Sequence, residues 1–312
     1  MSNEKIKGHI LIFLANILFA VNISISKFLI PFHLTPEALT LLRVLFGCIM
    51  FWITSLFIPY EKVPLKDLGI LFLCALCGIT LNQSLFMSGL NLTSPIDASI
   101  IATAGPIYVM LLAALILKEP ITGQKIFGVL LGVAGALMLI LSAGPADNQD
   151  SGLGGNLRIV ASNLLYSVYV VLSRPLSQRY SAVTIMKWMF LFSAVILFPL
   201  MYRQVEDAPA FHREALDWNE LGAIFYVLMF ATFIPYLLIP MSLKRLRPTT
   251  VSMYNYIQPI VASLLAVLIG QDSFSTEKLL SAALVFAGVY LVTQSKSRED
   301  LEREKRERRS AG

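Results

Sequence analysis

The chain is divided into apolar runs long enough to cross a bilayer. Ten can be placed, at 8–30, 36–58, 67–90, 95–117, 122–142, 155–176, 182–202, 219–242, 248–270 and 276–295. A spanning helix needs about 20 apolar residues, and the hydrocarbon offers no water to its backbone N–H and C=O groups. Each run must therefore satisfy its own hydrogen bonds, and the fold class expected is an all-α membrane protein. Only 14% of the residues are charged, against about 25% in a soluble domain, and mean hydropathy is +0.70. Lys5 and Lys7 precede the first run as in a secretory leader, but the run continues to Ile30. It is too long for a leader core and is expected to be the first spanning helix.

Most connections are short and carry prolines: Pro31, Pro36, Pro59, Pro64, Pro95, Pro120 and Pro248. Residues 143–154, rich in Gly, Asp and Asn, form a linker between residues 1–142 and 155–295. Residues 203–220 read as a mixed-charge surface loop, with Trp52 and Trp218 as interfacial anchors. Residues 296–312 alternate in charge, with partners such as Arg298 and Glu302 one turn apart, and are expected to form a solvated cytoplasmic tail. With the N-terminus inside, the inner loops hold Lys62, Lys66, Lys118, Lys125, Arg179, Lys244, Arg245 and Arg247. The outer loops at 31–35, 91–94 and 143–154 hold no lysine or arginine, while Arg203, Arg213 and Lys278 depart from this bias. The positive-inside rule then makes both termini cytoplasmic, in the inner membrane.

The chain also repeats itself. "ANILFAVNISISK" (15–27) returns as "SNLLYSVYVVLSR" (162–174), with Asn16 matching Asn163. At an offset of 153, Ser99 matches Ser252, Pro106 matches Pro259, Glu119 matches Asp272 and Gly135 matches Gly288. Two versions of one five-helix unit are implied. Five is odd, so the second copy crosses in the opposite sense, giving ten transmembrane helices as a 5+5 inverted repeat. That is a recurrent carrier architecture, with binding at the repeat interface.

"TSPIDASIIATAGPIYVMLLAALILKEPITGQKIFGVLLGVAGALML" and its weaker echo at 246–292 resemble the EamA family of the drug/metabolite transporter superfamily. The resemblance covers residues 8–294, although the second half keeps an acid at Asp272 while losing the proline and several glycines. It implies a cavity lined by helices 1, 3, 4, 6, 8 and 9, and a secondary exporter of small polar metabolites such as amino acids, working by alternating access. The alternatives are a carrier of nucleotide-sugars or lipophilic cations, or a non-transporting sensor or partner subunit.

Polar side chains within spans are costly and usually face the bundle interior or a water-filled cavity. Asn16, Phe19, Asn22 and Ile23 share one face of helix 1; Asn163, Tyr166 and Tyr169 do so on helix 6. For Asn16 and Asn163, interhelical bonding and substrate contact both stay open. Ser252, Asn255 and Gln258 lie one turn apart on helix 9, with Tyr254 and Tyr256 between them; the matching face of helix 4 is small (Ser99, Ala102, Gly105). Pro106 and Pro259 are candidate hinges, since each removes a helix hydrogen bond. Asn82 or Gln83 on helix 3 is expected to face Tyr236 on helix 8. Arg43 either meets a substrate carboxylate or braces the bundle through carbonyls; Lys27 and Lys187 are expected to snorkel. Asp97 reads as a capping-box acid.

Nothing here suggests catalysis. Cys74-x-x-Cys77 lies in an apolar run with no group to activate a thiol. His9, His33 and His212 assemble no metal site, and there is no phosphate-binding loop. No metal or cofactor and no nucleic-acid partner is expected, only a small-molecule substrate and the lipid bilayer. Gly128, Gly132 and Gly135 give helix 5 a small-residue face for internal packing or for a homodimer, so a monomer or homodimer is expected.

Overall fold

The computed structural model describes residues 3–30, 34–92, 101, 104–142, 153–206, 217–258, 260–261 and 276–296. Among them there are only helices and their connections, in ten segments. These are α1 (Asn3–Leu29), α2 (Pro36–Ser55), α3 (Leu65–Leu92), α4 (Gly105–Ile116), α5 (Gly123–Ser142), α6 (Leu153–Arg179), α7 (Ala182–Glu206) and α8 (Trp218–Leu243). Then come α9, Pro248–Met253 continued by a tighter turn at Tyr254–Tyr256, and α10 (Thr276–Gln294). Six of them (α1, α2, α3, α6, α7 and α8) are long and apolar enough to cross a membrane. The described parts of α4, α5 and α10 are shorter apolar helices.

Local chemistry sets several boundaries. Thr35 caps α2, its Oγ1 accepting from the Ala38 N–H at 3.1 Å, with Pro36 at the first helical position. Asp217 and Glu220 close a capping box on α8. Lys118, with φ of 53°, turns the chain between α4 and α5. Pro106 lies in the first turn of the described α4, where its missing N–H breaks no helix bond, and not mid-helix as its place in a 95–117 span implied. Pro259, Asp97 and Asp272 lie outside the described residues.

Two helices are locally unwound. α3 is π-helical over Leu76–Thr80 and α8 over Tyr226–Phe233. Such stretches release backbone groups and recur at functional sites. In α8, Pro235 cannot donate to the carbonyl four residues before it, that of Ala231. Both unwound stretches border the candidate site.

The halves interlock. α5 packs on α10, α2 on α7, α3 on α6, α1 on α8, and α4 on both α6 and α9. The α5–α10 contact is backbone to backbone: a Cβ built on Gly288 would stand 2.5 Å from the Gly128 carbonyl oxygen and 2.8 Å from the Gly132 nitrogen. Gly132 also faces the Tyr256 ring. Gly128 and Gly132 of α5 are thus occupied by neighbours within the chain. Between α2 and α7 the rings of Phe51 and Phe190 lie 5.2 Å apart, and Phe233 of α8 lies 4.8 Å from Phe51. Lys187 is 7% exposed and stands over the Trp52 ring at 5.3 Å, a cation–π contact that holds its charge at the helix end. Cys74 and Cys77 are buried and free.

At the end that carries the N-terminus, the connections bind one half to the other. Glu4 pairs with Arg245 at 2.9 Å, and Asp67 with Arg179 at 2.8 Å. Glu61 accepts from the Ser181 N–H and hydroxyl. Glu119 takes Lys125 at 2.7 Å and the Thr249 hydroxyl at 2.9 Å. His9 meets the Tyr254 hydroxyl at 2.7 Å.

Candidate functional site: a polar cavity between the halves

Above that sealed end, six helices surround a cavity of about 110 Å³. α1 contributes Phe19, Asn22 and Ile23, α2 Arg43, and α3 Asn82, Gln83, Phe86 and Met87. α6 contributes Ser162, Asn163 and Tyr166, α8 Tyr236, and α9 Asn255 and Gln258.

Gln83 Nε2 donates to the Tyr236 hydroxyl at 3.0 Å, and that hydroxyl donates at 3.3 Å to the carbonyl of Gly78, in the π-helical stretch of α3. The Phe19 ring meets the Tyr236 ring edge to face at 6.2 Å. Asn82 reaches across to α6, donating to the Ser162 carbonyl at 2.9 Å and hydroxyl at 2.8 Å. Gln258 donates to Asn16 Oδ1 at 2.9 Å.

Arg43 is 3% exposed. Its Nε donates to Thr232 Oγ1 at 2.8 Å and its Nη2 to the Ala231 carbonyl at 2.9 Å. That carbonyl lies in the π-helical stretch of α8, four residues before Pro235, which has no N–H to donate to it. Nη1 has no protein partner among the described residues, and no ion pair there neutralises the guanidinium.

Of the residues expected from sequence, Asn82, Gln83, Asn163, Tyr166, Tyr236, Asn255, Gln258 and Arg43 line this cavity. Four others stand elsewhere. Asn16 is behind the wall, its amide turned back to the Ile12 carbonyl at 2.9 Å and its oxygen engaged by Gln258. Tyr169 is fully buried against Gly78, its ring 5.6 Å from that of Tyr166. Ser252 donates to the Thr249 carbonyl of its own helix at 2.9 Å. Tyr254 faces His9 at the sealed end. In each case a neighbouring helix or the residue's own turn takes the side chain, which for Asn16 is the interhelical alternative of the sequence reading. Phe19, Asn22, Ile23, Phe86, Met87 and Ser162 join the wall without having been singled out as binding residues. Phe19, Asn22 and Ile23 share the face assigned to Asn16, and Ser162 opens the repeated stretch. Phe86 and Met87 carry no signal beyond being apolar in an apolar helix.

No group of three His, Cys, Asp or Glu side chains among the described residues is arranged to hold a metal. The wall is thus a mixed surface of amides, hydroxyls and aromatic rings around one cation. It suits reversible binding of a small molecule.

A polar cavity inside a bundle of membrane-length helices is in keeping with a membrane transporter, and sequence comparison points to that class. The model of the EamA-like transporter family matches residues 6–141 and again 153–294, and the chain belongs to that family. Two of its relatives are a WAT1-related protein of Arabidopsis thaliana and the uncharacterized transporter YetK of Bacillus subtilis (strain 168). The first is 27% identical, over 90% of this chain and 81% of its own. The second is 22% identical, over 77% and 72%. A solved crystal structure 21% identical in sequence superposes with a TM-score of 0.74, covering 94% of this chain and 99% of its own, and shares the fold. Family and relatives point to a transporter rather than an enzyme.

Proposed function

We propose that the chain is a secondary exporter of small polar metabolites of amino-acid size, working without ATP by alternating access, with both termini cytoplasmic in the inner membrane. The observation that carries this is the cavity itself, bounded by the hydrogen bond from Gln83 to Tyr236, one residue from each half. Two further features support it. The family model matches each half separately, in keeping with a 5+5 inverted repeat whose copies exchange gating roles. The polar clasp at the termini end, with its lysines and arginines, suits a closed cytoplasmic gate beneath an outward-facing site.

The test is counterflow of labelled amino acids and related metabolites in proteoliposomes, comparing the native chain with Asn255→Ala and Gln258→Ala. Flux by the native chain that falls about tenfold or more in both variants, with unchanged thermal unfolding, supports the assignment. Binding without flux would make the protein a sensor.

A further inference from the structure

We propose that the cavity is a site for small organic anions: a carboxylate docks on Arg43 and an uncharged, partly aromatic body lies along the remaining wall. This deepens the carrier assignment and rests on it only for the transport arm of the test.

The inference begins with a charge. Arg43 is 3% exposed in the middle of the bundle, where an uncompensated cation is costly. Its two bonds, to Thr232 and Ala231, are to neutral oxygens. They fix the direction of the guanidinium and leave its charge in place. With Nε and one Nη2 hydrogen engaged, Nη1 and the other Nη2 hydrogen remain. These two donors form the end-on fork that a carboxylate accepts. The arginine is therefore preorganised, and it is one of the residues that line the cavity.

The other lining groups bear no charge. Asn255 borders the cavity without a hydrogen bond to the described residues, and the buried amide nitrogen of Asn163 and Oε1 of Gln83 also lack partners. These suit hydroxyl, carbonyl or amide groups on a ligand. Phe19, Phe86 and Tyr166 offer ring faces and edges to its body. When such a site closes over its cargo and excludes water, a monoanion on Arg43 makes the complex neutral. A zwitterion leaves a net positive charge buried, and a cation doubles it. In a low dielectric those differences are large, so the order of preference is anion, then zwitterion, then neutral amide, then amine.

The test uses the full chain and four probes of one shape: hydrocinnamate, its amide, phenylpropylamine and phenylalanine. Binding is measured by calorimetry in detergent and transport by counterflow in proteoliposomes. Hydrocinnamate is expected to bind about tenfold or more tighter than the amide and the amine. Arg43→Gln should erase that preference, but it also strips Ala231 of its donor and can fail to fold. Asn255→Asp breaks no hydrogen bond and places an acid in the same wall. It is expected to invert the order, favouring the amine over the acid. The inference is overturned if none of the four binds, if amide, amine or phenylalanine binds as tightly as hydrocinnamate, or if Asn255→Asp leaves the order unchanged. Hydrocinnamate bound but never transported would keep the anion site and remove the carrier assignment. Phenylalanine transported with hydrocinnamate ignored would do the reverse.

Discussion

Gln83 and Tyr236 stand 153 residues apart in the chain and meet across the cavity at 3.0 Å. The separation equals the offset at which Ser99 matches Ser252 and Pro106 matches Pro259. The bond couples α3 to α8 beside their two π-helical stretches. Tyr236→Phe leaves the Gln83 amide and the Gly78 carbonyl short of a partner, and is expected to cost about 1 kcal/mol. Gln83→Leu added to it should cost less than Gln83→Leu alone. A double-mutant cycle by thermal or denaturant unfolding reads the coupling; strict additivity would mean that the bond contributes nothing.

The clasp around Glu119 is the more demanding contact at the termini end. The Lys125 side chain is 1% exposed and its carboxylate partner 14%. Glu119→Gln leaves a buried ammonium without a counter-charge, an expected loss of about 3 kcal/mol and a lower unfolding temperature. Glu4, 59% exposed, also binds an arginine of the other half. Its replacement by Gln should leave the unfolding temperature unchanged, because solvent screens such pairs. Equal effects of the two substitutions would contradict the burial argument.

Glu61 supplies a pH dependence. Burial pushes its carboxyl pKa upward. Hydrogen bonds from Thr184, the Ser181 N–H and the Ser181 hydroxyl, with the charge of Lys244, outweigh that and hold it below the usual 4.5. A group whose folded pKa is depressed contributes stability that is fully present above its unfolded pKa and is lost as pH falls through the folded value. Thermal stability is therefore expected to fall below about pH 4.5, and Glu61→Gln should flatten that slope while lowering stability at neutral pH. A variant with the native slope would place the acid sensitivity elsewhere.

The α5–α10 seam gives a steric test. A methyl group on Gly288 would press on the backbone of Gly128 and Gly132, neither of which is the movable end of a side chain. Gly288→Ala is expected to destabilise by about 2 kcal/mol or more through forced separation of the helices. Gly69→Ala, with nothing within 4 Å of the added carbon, should be neutral or slightly stabilising. Unfolding temperatures in one detergent compare them directly.

Much of the architecture is legible in the chain because its causes are local or periodic. Apolar runs of bilayer length imply helices. Pro36 stands at the start of α2, whereas the capping box of α8, Asp217 and Glu220, falls in a stretch read from sequence as a surface loop. The spacing of Asn255 and Gln258 places both on one helix face, and that face reaches the cavity. The sequence offers Asn82 or Gln83 as the residue facing Tyr236, and Gln83 is the one that bonds it.

What periodicity cannot supply is how far each helix is rotated about its axis. On α1, Asn16, Phe19 and Asn22 share one face, yet the packing of α1 against α8 turns Phe19 and Asn22 into the cavity and leaves Asn16 behind Gln258. Tyr169 is drawn from the cavity into the space left by Gly78, a residue far away in sequence. Arg43 is the clearest case. Its sequence left bracing and substrate contact as alternatives, whereas the structure shows it braced by Nε and Nη2, with Nη1 without a protein partner among the described residues. The carbonyl that anchors it lies on another helix, in the π-helical stretch just before Pro235. The chain by itself determined its helices and their approximate lengths, since hydrophobic length and local hydrogen bonding act within a few turns. Only the tertiary structure decided which polar groups share the cavity, because that depends on contacts between residues more than a hundred positions apart.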